Sequence, residues 1–285
     1  MKMITNNSEL IIKNTTDFCP AHTFLCGQCF RWDEMPDGSF TGVAMGKVLN
    51  VSADKENIIL RGTDKTEYNN IWLDYFDFGR DYINIKKLLS FKDEFLRSAI
   101  SYGWGIHILK QDFFETLLSF IISANNNIPR IRGIIDALSR AYGEKISFDG
   151  KDYFAFPTPE QLYGIQEQDL APFKMGYRAP YIASAVKHFS SLDKEEIQNA
   201  PINDARRILR SIKGVGPKVA DCILLFSFGR FEVFPTDVWV KRVMGELYGC
   251  PPDKATAHGE ALFGDLAGIA QQYLFYHRRE GGNIA

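Results

Sequence analysis

The stretch RRILRSIKGVGPKVADCILLFSFGRFEVFPTDVWVKR, residues 206–242, decides how this chain is read. Ile208, Leu209 and Ile212 give its first part the apolar face of a helix, and Val219, Ala220, Ile223 and Leu224 do the same after Pro217. Between them Gly214-Val215-Gly216 permits a tight turn, and proline suits a first helical position because the amide it lacks would be unpaired there. The pattern predicts two helices joined by a hairpin.

Such a turn leaves the amides of Gly214, Gly216 and Lys218 free near a helix N-terminus, where partial positive charge favours an anion such as a DNA phosphate. The stretch holds eight Lys/Arg against three Asp/Glu, a local balance of +5 in a chain of net charge -2. The cationic surface is therefore focused, and wholesale coating of nucleic acid is excluded. Ordinary helix packing would also accommodate a G-V-G turn.

Lys218 and Asp237 form the candidate chemical pair. The helix dipole and partial desolvation at Lys218 would oppose its ammonium form, which makes a neutral nucleophilic amine attainable. Asp237 follows Pro235-Thr236 at a second helix start, with Val238, Val240 and Val243 beyond it. The bland alternatives are a phosphate-facing or solvent-facing lysine and a helix-capping aspartate.

G-V-G-P-K-V-A-D-C at 214–222 and P-T-D-V at 235–238 closely resemble the helix-hairpin-helix, Gly/Pro-rich-loop, aspartate superfamily of DNA glycosylases, and within it the 8-oxoguanine DNA glycosylase/lyase family. Lys218 falls at that family's nucleophile and Asp237 at its catalytic aspartate. The resemblance runs from about Phe24 to Phe275. It implies an α+β chain: a mostly helical glycosylase fold with an N-terminal antiparallel, TBP-like β-sheet subdomain. On this reading, residues 1–100 hold the sheet and following helices. Residues 101–285 form the helical domain, with the hairpin at 206–228 and the catalytic loop at 229–242.

Further positions follow from the resemblance. Gly27 lies in G-Q-C-F-R-W and would accept, through its carbonyl, the N7 hydrogen that 8-oxoguanine has and guanine lacks; by itself it reads as a turn or bulge glycine. Cys222, Gln271 and Phe275 match the rest of the damaged-base pocket, with Phe275 stacking on the purine and Gln271 bonding its pairing edge. Gln271 and Phe275 are four apart and so share a helix face, as any apolar helix face with one polar residue would show. Asn125, in N-N-N-I-P-R, would enter the gap left by the extruded base and meet the orphaned cytosine, with Arg130 a second cytosine-facing group. Three asparagines and a proline are also a common connection. Tyr177 and Arg178 match a Y-R pair, the ring wedged beside the estranged base and the guanidinium at its edge; capping and a surface ion pair are the ordinary roles. Gly214, Gly216, Lys218 and Trp239 fall at phosphate-contacting positions. At the last the family commonly has histidine, and an indole donates one hydrogen bond but cannot become cationic.

With 285 residues, 45% hydrophobic and 24% charged, the chain can bury a large core. No apolar run reaches membrane-spanning length and MKMITNNSEL has no apolar signal core, so the expected place is the cytoplasm or nucleoid of a prokaryote. The cysteines at 19, 26, 29, 222 and 250 form no secreted disulfide pattern. Cys19-x6-Cys26-x2-Cys29 begins like the superfamily's iron–sulfur motif, but Met35 stands where a fourth cysteine would complete it. No cofactor is expected. The only cation site implied is a weak one at the carbonyls of Arg210, Ile212 and Val215.

Along the chain, strands are expected at Phe24–Trp32, Ser39–Met45, Lys47–Ser52 and Asn57–Arg61, with helices from about residue 67 onward. Helices are placed at 68–78, 83–89, 92–101, 112–124, after Pro129, from Pro157 through Leu162, at 177–189, 194–199, 203–212, 238–248 and 268–279. Residues 144–165 are expected to hold turn residues around that short helix from Pro157 through Leu162. The function implied is a monomeric bifunctional glycosylase and abasic-site lyase, excising 8-oxoguanine preferentially opposite cytosine from duplex DNA. The alternatives are action on other purine lesions or abasic sites, and a noncatalytic helix-hairpin-helix DNA-binding protein.

Overall fold

The computed structural model describes residues 2–6, 9–13, 15–54 and 56–280. It is mostly helical, with a six-stranded N-terminal antiparallel sheet in the order β1-β2-β6-β5-β4-β3. The strands are β1 Lys2–Asn6, β2 Glu9–Lys13, β3 Trp32–Glu34, β4 Phe40–Ala44, β5 Lys47–Ala53 and β6 Asn57–Arg61. Helix α1, Pro20–Leu25, lies between β2 and β3. Next come α2 (Lys65–Glu67) and α3 (Leu73–Tyr75) flanking a π-helical turn at Tyr68–Trp72, then α4 (Tyr82–Lys92), α5 (Glu94–Tyr102), α6 (Phe113–Ser123) and α7 (Ile128–Tyr142). A two-stranded hairpin, β7 Lys145–Phe148 and β8 Lys151–Phe154, precedes α8 (Ala179–Phe189), α9 (Lys194–Asn199), α10 (Ile202–Arg210), α11 (Pro217–Phe228), α12 (Val238–Tyr248), α13 (Ala255–Phe263) and α14 (Ala267–Arg279). Among the described residues, no helix is long and apolar enough to cross a membrane.

The chain divides into two compact units, each assembled from separated segments. The first comprises residues 1–29, 51–110 and 229–285. In it β2 pairs antiparallel with β1 and β6, opposing Ile12 to Ile58 and Leu10 to Leu60, all four of them core side chains. α14 packs on α5 and α12. An aromatic cluster fills the centre: Phe76 stacks on Trp72 and Phe78, and the His107 ring lies 3.9 Å from that of Tyr82.

The second unit comprises residues 30–50 and 111–228. Its axis is α6, which packs against α7, α8 and α11 and buries residues all round, as its unbroken apolar sequence requires. Asp112 caps α6 by accepting the Glu115 amide at 2.9 Å.

Several local expectations are corrected. Phe24–Trp32 is not a strand: Pro20 starts a helix at its first position, Gly27 turns the chain at φ +88, and pairing resumes only at Trp32. Side-chain bonds from Gln28 replace the missing ladder. Residues 157–162 form turns instead of a helix. Thr158 and Gln161 exchange the bonds of a capping box, but Gly164 at φ +78 ends the segment before a helix can continue. The expected connection after residue 144 holds the β7–β8 hairpin, whose Asp149-Gly150 turn has φ +49 and +71, the two positive values of a type I′ turn. The sheet begins at Lys2, earlier than expected, and α13 occupies a stretch to which no helix was given.

Candidate active site and DNA-contact elements

In the second unit the hairpin forms as expected. α10 runs to Arg210, Val215 donates to the Ile212 carbonyl at 3.0 Å, and α11 starts at Pro217. Gly214 has φ +95, and a Cβ there would come within 2.7 Å of the Tyr181 Cβ, so both backbone and packing demand glycine. The Arg206 Nε to Asp221 Oδ1 ion pair, 2.6 Å, ties the two helices together. Among the described residues no acceptor meets the amides of Gly214, Gly216 or Lys218. The free amides at a helix start are the arrangement that the sequence suggests.

Lys218 is half-buried in the first turn of α11, and its Nζ lies 4.9 Å from the centre of the Phe120 ring. Phe120 is held by Phe226, stacked at 5.4 Å, and by Phe30 at 5.7 Å. The amine therefore stands on an aromatic floor instead of extending into solvent. Cys222 is buried one turn further along the same helix.

The asparagine segment joins α6 to α7. Asn127 caps α7 through the Arg130 amide at 3.0 Å, and Asn126 bonds the Ile122 carbonyl at 3.1 Å. Asn125 is exposed with φ +50, a left-handed conformation that asparagine tolerates well. That turn is held by Arg178, which is buried and donates to the carbonyls of Ala124 (3.0 and 2.6 Å), Asn125 (2.8 Å) and Met175 (3.3 Å). The guanidinium thus grips the loop that carries Asn125, where the sequence suggested an outward-reaching group. Tyr177 is exposed, stacks under Arg178 at 4.4 Å and bonds the Ala124 carbonyl at 3.1 Å. Arg130 is also exposed, touching the Lys174 carbonyl at 2.9 Å.

The first unit carries the remaining residues. Asp237 caps α12 by accepting the Val240 amide at 2.9 Å with Oδ1, while its Oδ2 has no hydrogen bond among the described residues. The capping alternative is therefore realised and still leaves an oxygen for chemistry. Trp239 is 45% exposed on the first turn of α12, with the Arg242 guanidinium 5.2 Å from its ring. A cation accompanies the indole that replaces the family's histidine.

Gly27 turns directly against α14. A Cβ on it would stand 2.8 Å from Arg279 Nη1 and 3.1 Å from Phe275 Cε1, and the φ of +88 favours glycine there. Gln271 and Phe275 lie on α14 as the spacing required, Gln271 buried and Phe275 half-buried. The Gly27 turn is fixed by side chains that sequence reasoning passed over. Fully buried Gln28 donates to the carbonyls of Thr23 (2.9 Å) and His107 (2.8 Å) and accepts the Leu109 amide (2.8 Å). Gln272 donates to the Cys26 carbonyl at 2.7 Å, and Arg279 to that of Leu25. Gln28 stood inside the quoted motif, and a polar residue in an otherwise apolar run was its signal. Arg279 had no signal, because its contact spans most of the chain.

Residues 10–117 match the family described as 8-oxoguanine DNA glycosylase, N-terminal domain, and residues 118–266 match the HhH-GPD superfamily of base excision DNA repair proteins. The chain belongs to the 8-oxoguanine DNA glycosylase family. A crystal structure of a Clostridium acetobutylicum 8-oxoguanine glycosylase/lyase, in complex with double-stranded DNA containing cytosine opposite 8-oxoguanine, is 40% identical and superimposes with a TM-score of 0.95 over 99% of each chain. The structure of MBOgg1 with a low-affinity DNA ligand is 44% identical, with the same TM-score over 99% of each chain. The N-glycosylase/DNA lyase of Saccharomyces cerevisiae is 32% identical over 270 residues, which cover 85% of this chain and 71% of the yeast protein.

Proposed function

We propose that this chain removes 8-oxoguanine, preferentially opposite cytosine, from duplex DNA and then cleaves the strand as an abasic-site lyase. The observation that carries the reading is Lys218, whose amine stands over Phe120 in the first turn of α11, beside hairpin amides that meet no acceptor among the described residues. Duplex DNA binds the hairpin through its phosphates at Gly214, Gly216 and Lys218, with Trp239 and its neighbour Arg242 at a second contact. A base within a duplex is shielded from attack and must be extruded. Tyr177 borders the gap and Asn125 enters it. Gly27, Cys222, Gln271 and Phe275 receive the purine, Gly27 accepting the N7 hydrogen.

The Lys218 amine then bonds to the sugar C1′ as the glycosidic bond breaks and the base leaves with the electron pair. The Asp237 carboxylate opposes the positive charge that develops on the sugar. Ring opening gives a Schiff base, after which loss of a C2′ proton and departure of the 3′ phosphate cleave the strand. The setting is that of chromosomal DNA, in cytoplasm or nucleoid.

Reading of the opposite base rests first on Asn125 and Arg130, the exposed donors, with Arg178 holding the loop that presents Asn125. Cytosine offers acceptors at O2 and N3, whereas adenine presents a donor, and each mismatched contact costs roughly 1–3 kcal/mol. Single-turnover excision should therefore be fastest opposite cytosine, and Arg130→Ala should narrow its margin over adenine by about tenfold or more. Equal excision opposite all four bases in the parent would refute the assignment.

A further inference from the structure

The end of α14 places beside Gly27 a guanidinium of which one N–H group, Nη1, is unpaired among the described residues. Arg279 Nη2 donates to the Leu25 carbonyl, and Nη2 and Nε engage the Glu280 carboxylate at 2.8 and 3.0 Å. Nη1 is buried and has no acceptor among the described residues. It stands 2.8 Å from the place a Cβ on Gly27 would occupy, and the edge of the Phe275 ring is 3.1 Å from the same place. The guanidinium carbon is 5.5 Å from the centre of that ring. Glycine turn, aromatic ring and orphan donor thus meet at one corner.

Buried donors are paired in most proteins, and a charged one left unpaired is costly, so this vacancy calls for an acceptor supplied from outside. Phosphate suits it poorly, since the atom lies beside the Gly27 turn and the Phe275 ring, which this reading gives to the damaged base. A purine carbonyl suits it well. 8-Oxoguanine carries its two distinguishing groups side by side, a donor at N7 and a carbonyl acceptor at C8, and the Gly27 carbonyl addresses only the first. We propose that Arg279 is a specificity-determining residue whose Nη1 donates to the C8 carbonyl oxygen of the extruded base. This rests on the assignment of Gly27 and Phe275 to the damaged-base side. Guanine, with hydrogen at C8, would leave Nη1 unpaired, and 8-aminoguanine would set a donor against it.

The test measures affinity for duplexes carrying 8-oxoguanine, 8-aminoguanine or guanine opposite cytosine, in a Lys218→Gln background that blocks turnover. Adding Arg279→Met should weaken 8-oxoguanine binding about ten- to a hundredfold, the scale of a charge-assisted hydrogen bond, and barely change the other two. Arg279→Lys should recover part of the preference. Arg279→Met with Lys218 intact should still cleave a preformed abasic site, which has no base to recognise. An equal loss on all three duplexes or an unchanged preference would overturn the proposal; a selective loss accompanied by the lowered urea stability of a displaced Gly27 turn, and not regained in Arg279→Lys, would overturn it too and leave Arg279 as a brace for Leu25. If Arg279→Met also loses abasic-site cleavage, the Arg279→Lys preference decides by the same criterion. A background protein that never prefers 8-oxoguanine over guanine refutes the functional reading itself, and shows this before Arg279 is touched.

Discussion

Replacing Gln28 with leucine keeps the side chain's bulk and removes all its hydrogen bonds. The carboxamide is fully buried and serves three buried backbone groups: the Thr23 and His107 carbonyls and the Leu109 amide. Thr23 keeps a weak bond from the Cys26 thiol at 3.2 Å, so the full cost falls on His107 and Leu109. At about 1–3 kcal/mol for each buried group left unpaired, the variant should lose about 2–6 kcal/mol. That is a large part of the ~5–15 kcal/mol that holds a typical protein folded. Urea denaturation of parent and variant, compared at equal slope, reads the difference directly. Because Gln28 adjoins Gly27, 8-oxoguanine excision should fall further than cleavage of a preformed abasic site. A loss below about 1 kcal/mol would show that the network is not what fixes the Gly27 turn.

Two further outcomes follow from the site. Asp237→Asn should leave the cap on α12 and duplex binding nearly intact, because asparagine caps as well as aspartate, yet slow base release at least a hundredfold through loss of charge; unchanged single-turnover excision would reduce Asp237 to a cap. Burial pushes the Glu115 carboxyl up to about 7, against the opposing pull of Arg31 at 3.8 Å. Its folded value lies above the ordinary 4.5, so this group's contribution to stability is present at low pH and is lost as pH rises from about 4.5 to 7. Glu115→Gln should therefore gain on the parent by up to about 3 kcal/mol between pH 4.5 and pH 8 in denaturation experiments, and a constant difference would contradict it.

How far the sequence could be read depended on how local each signal was. The hairpin, the α6 core helix and the α12 start were legible because proline, glycine and apolar spacing act within one or two turns. The helix-start positions of Lys218 and Asp237 were legible for the same reason. Phe24–Trp32 was misread because apolar and aromatic residues suit a strand or a buried turn equally, and only the distant partners of Gln28 and Gln272 decide between them. The Asp149-Gly150 turn was a local signal passed over. The grip of Arg178 on Ala124 and Asn125 joins residues more than fifty positions apart, and that of Arg279 on Leu25 more than two hundred and fifty. Neither leaves a mark in the sequence.

The central claim is that the Lys218 amine itself bonds to the sugar. Incubating the protein with a duplex carrying 8-oxoguanine opposite cytosine and reducing with borohydride should trap a covalent protein–DNA adduct. Lys218→Gln should abolish that adduct while still binding the duplex. An adduct that persists undiminished in Lys218→Gln, or a parent that releases the base without ever being trapped, would contradict the account.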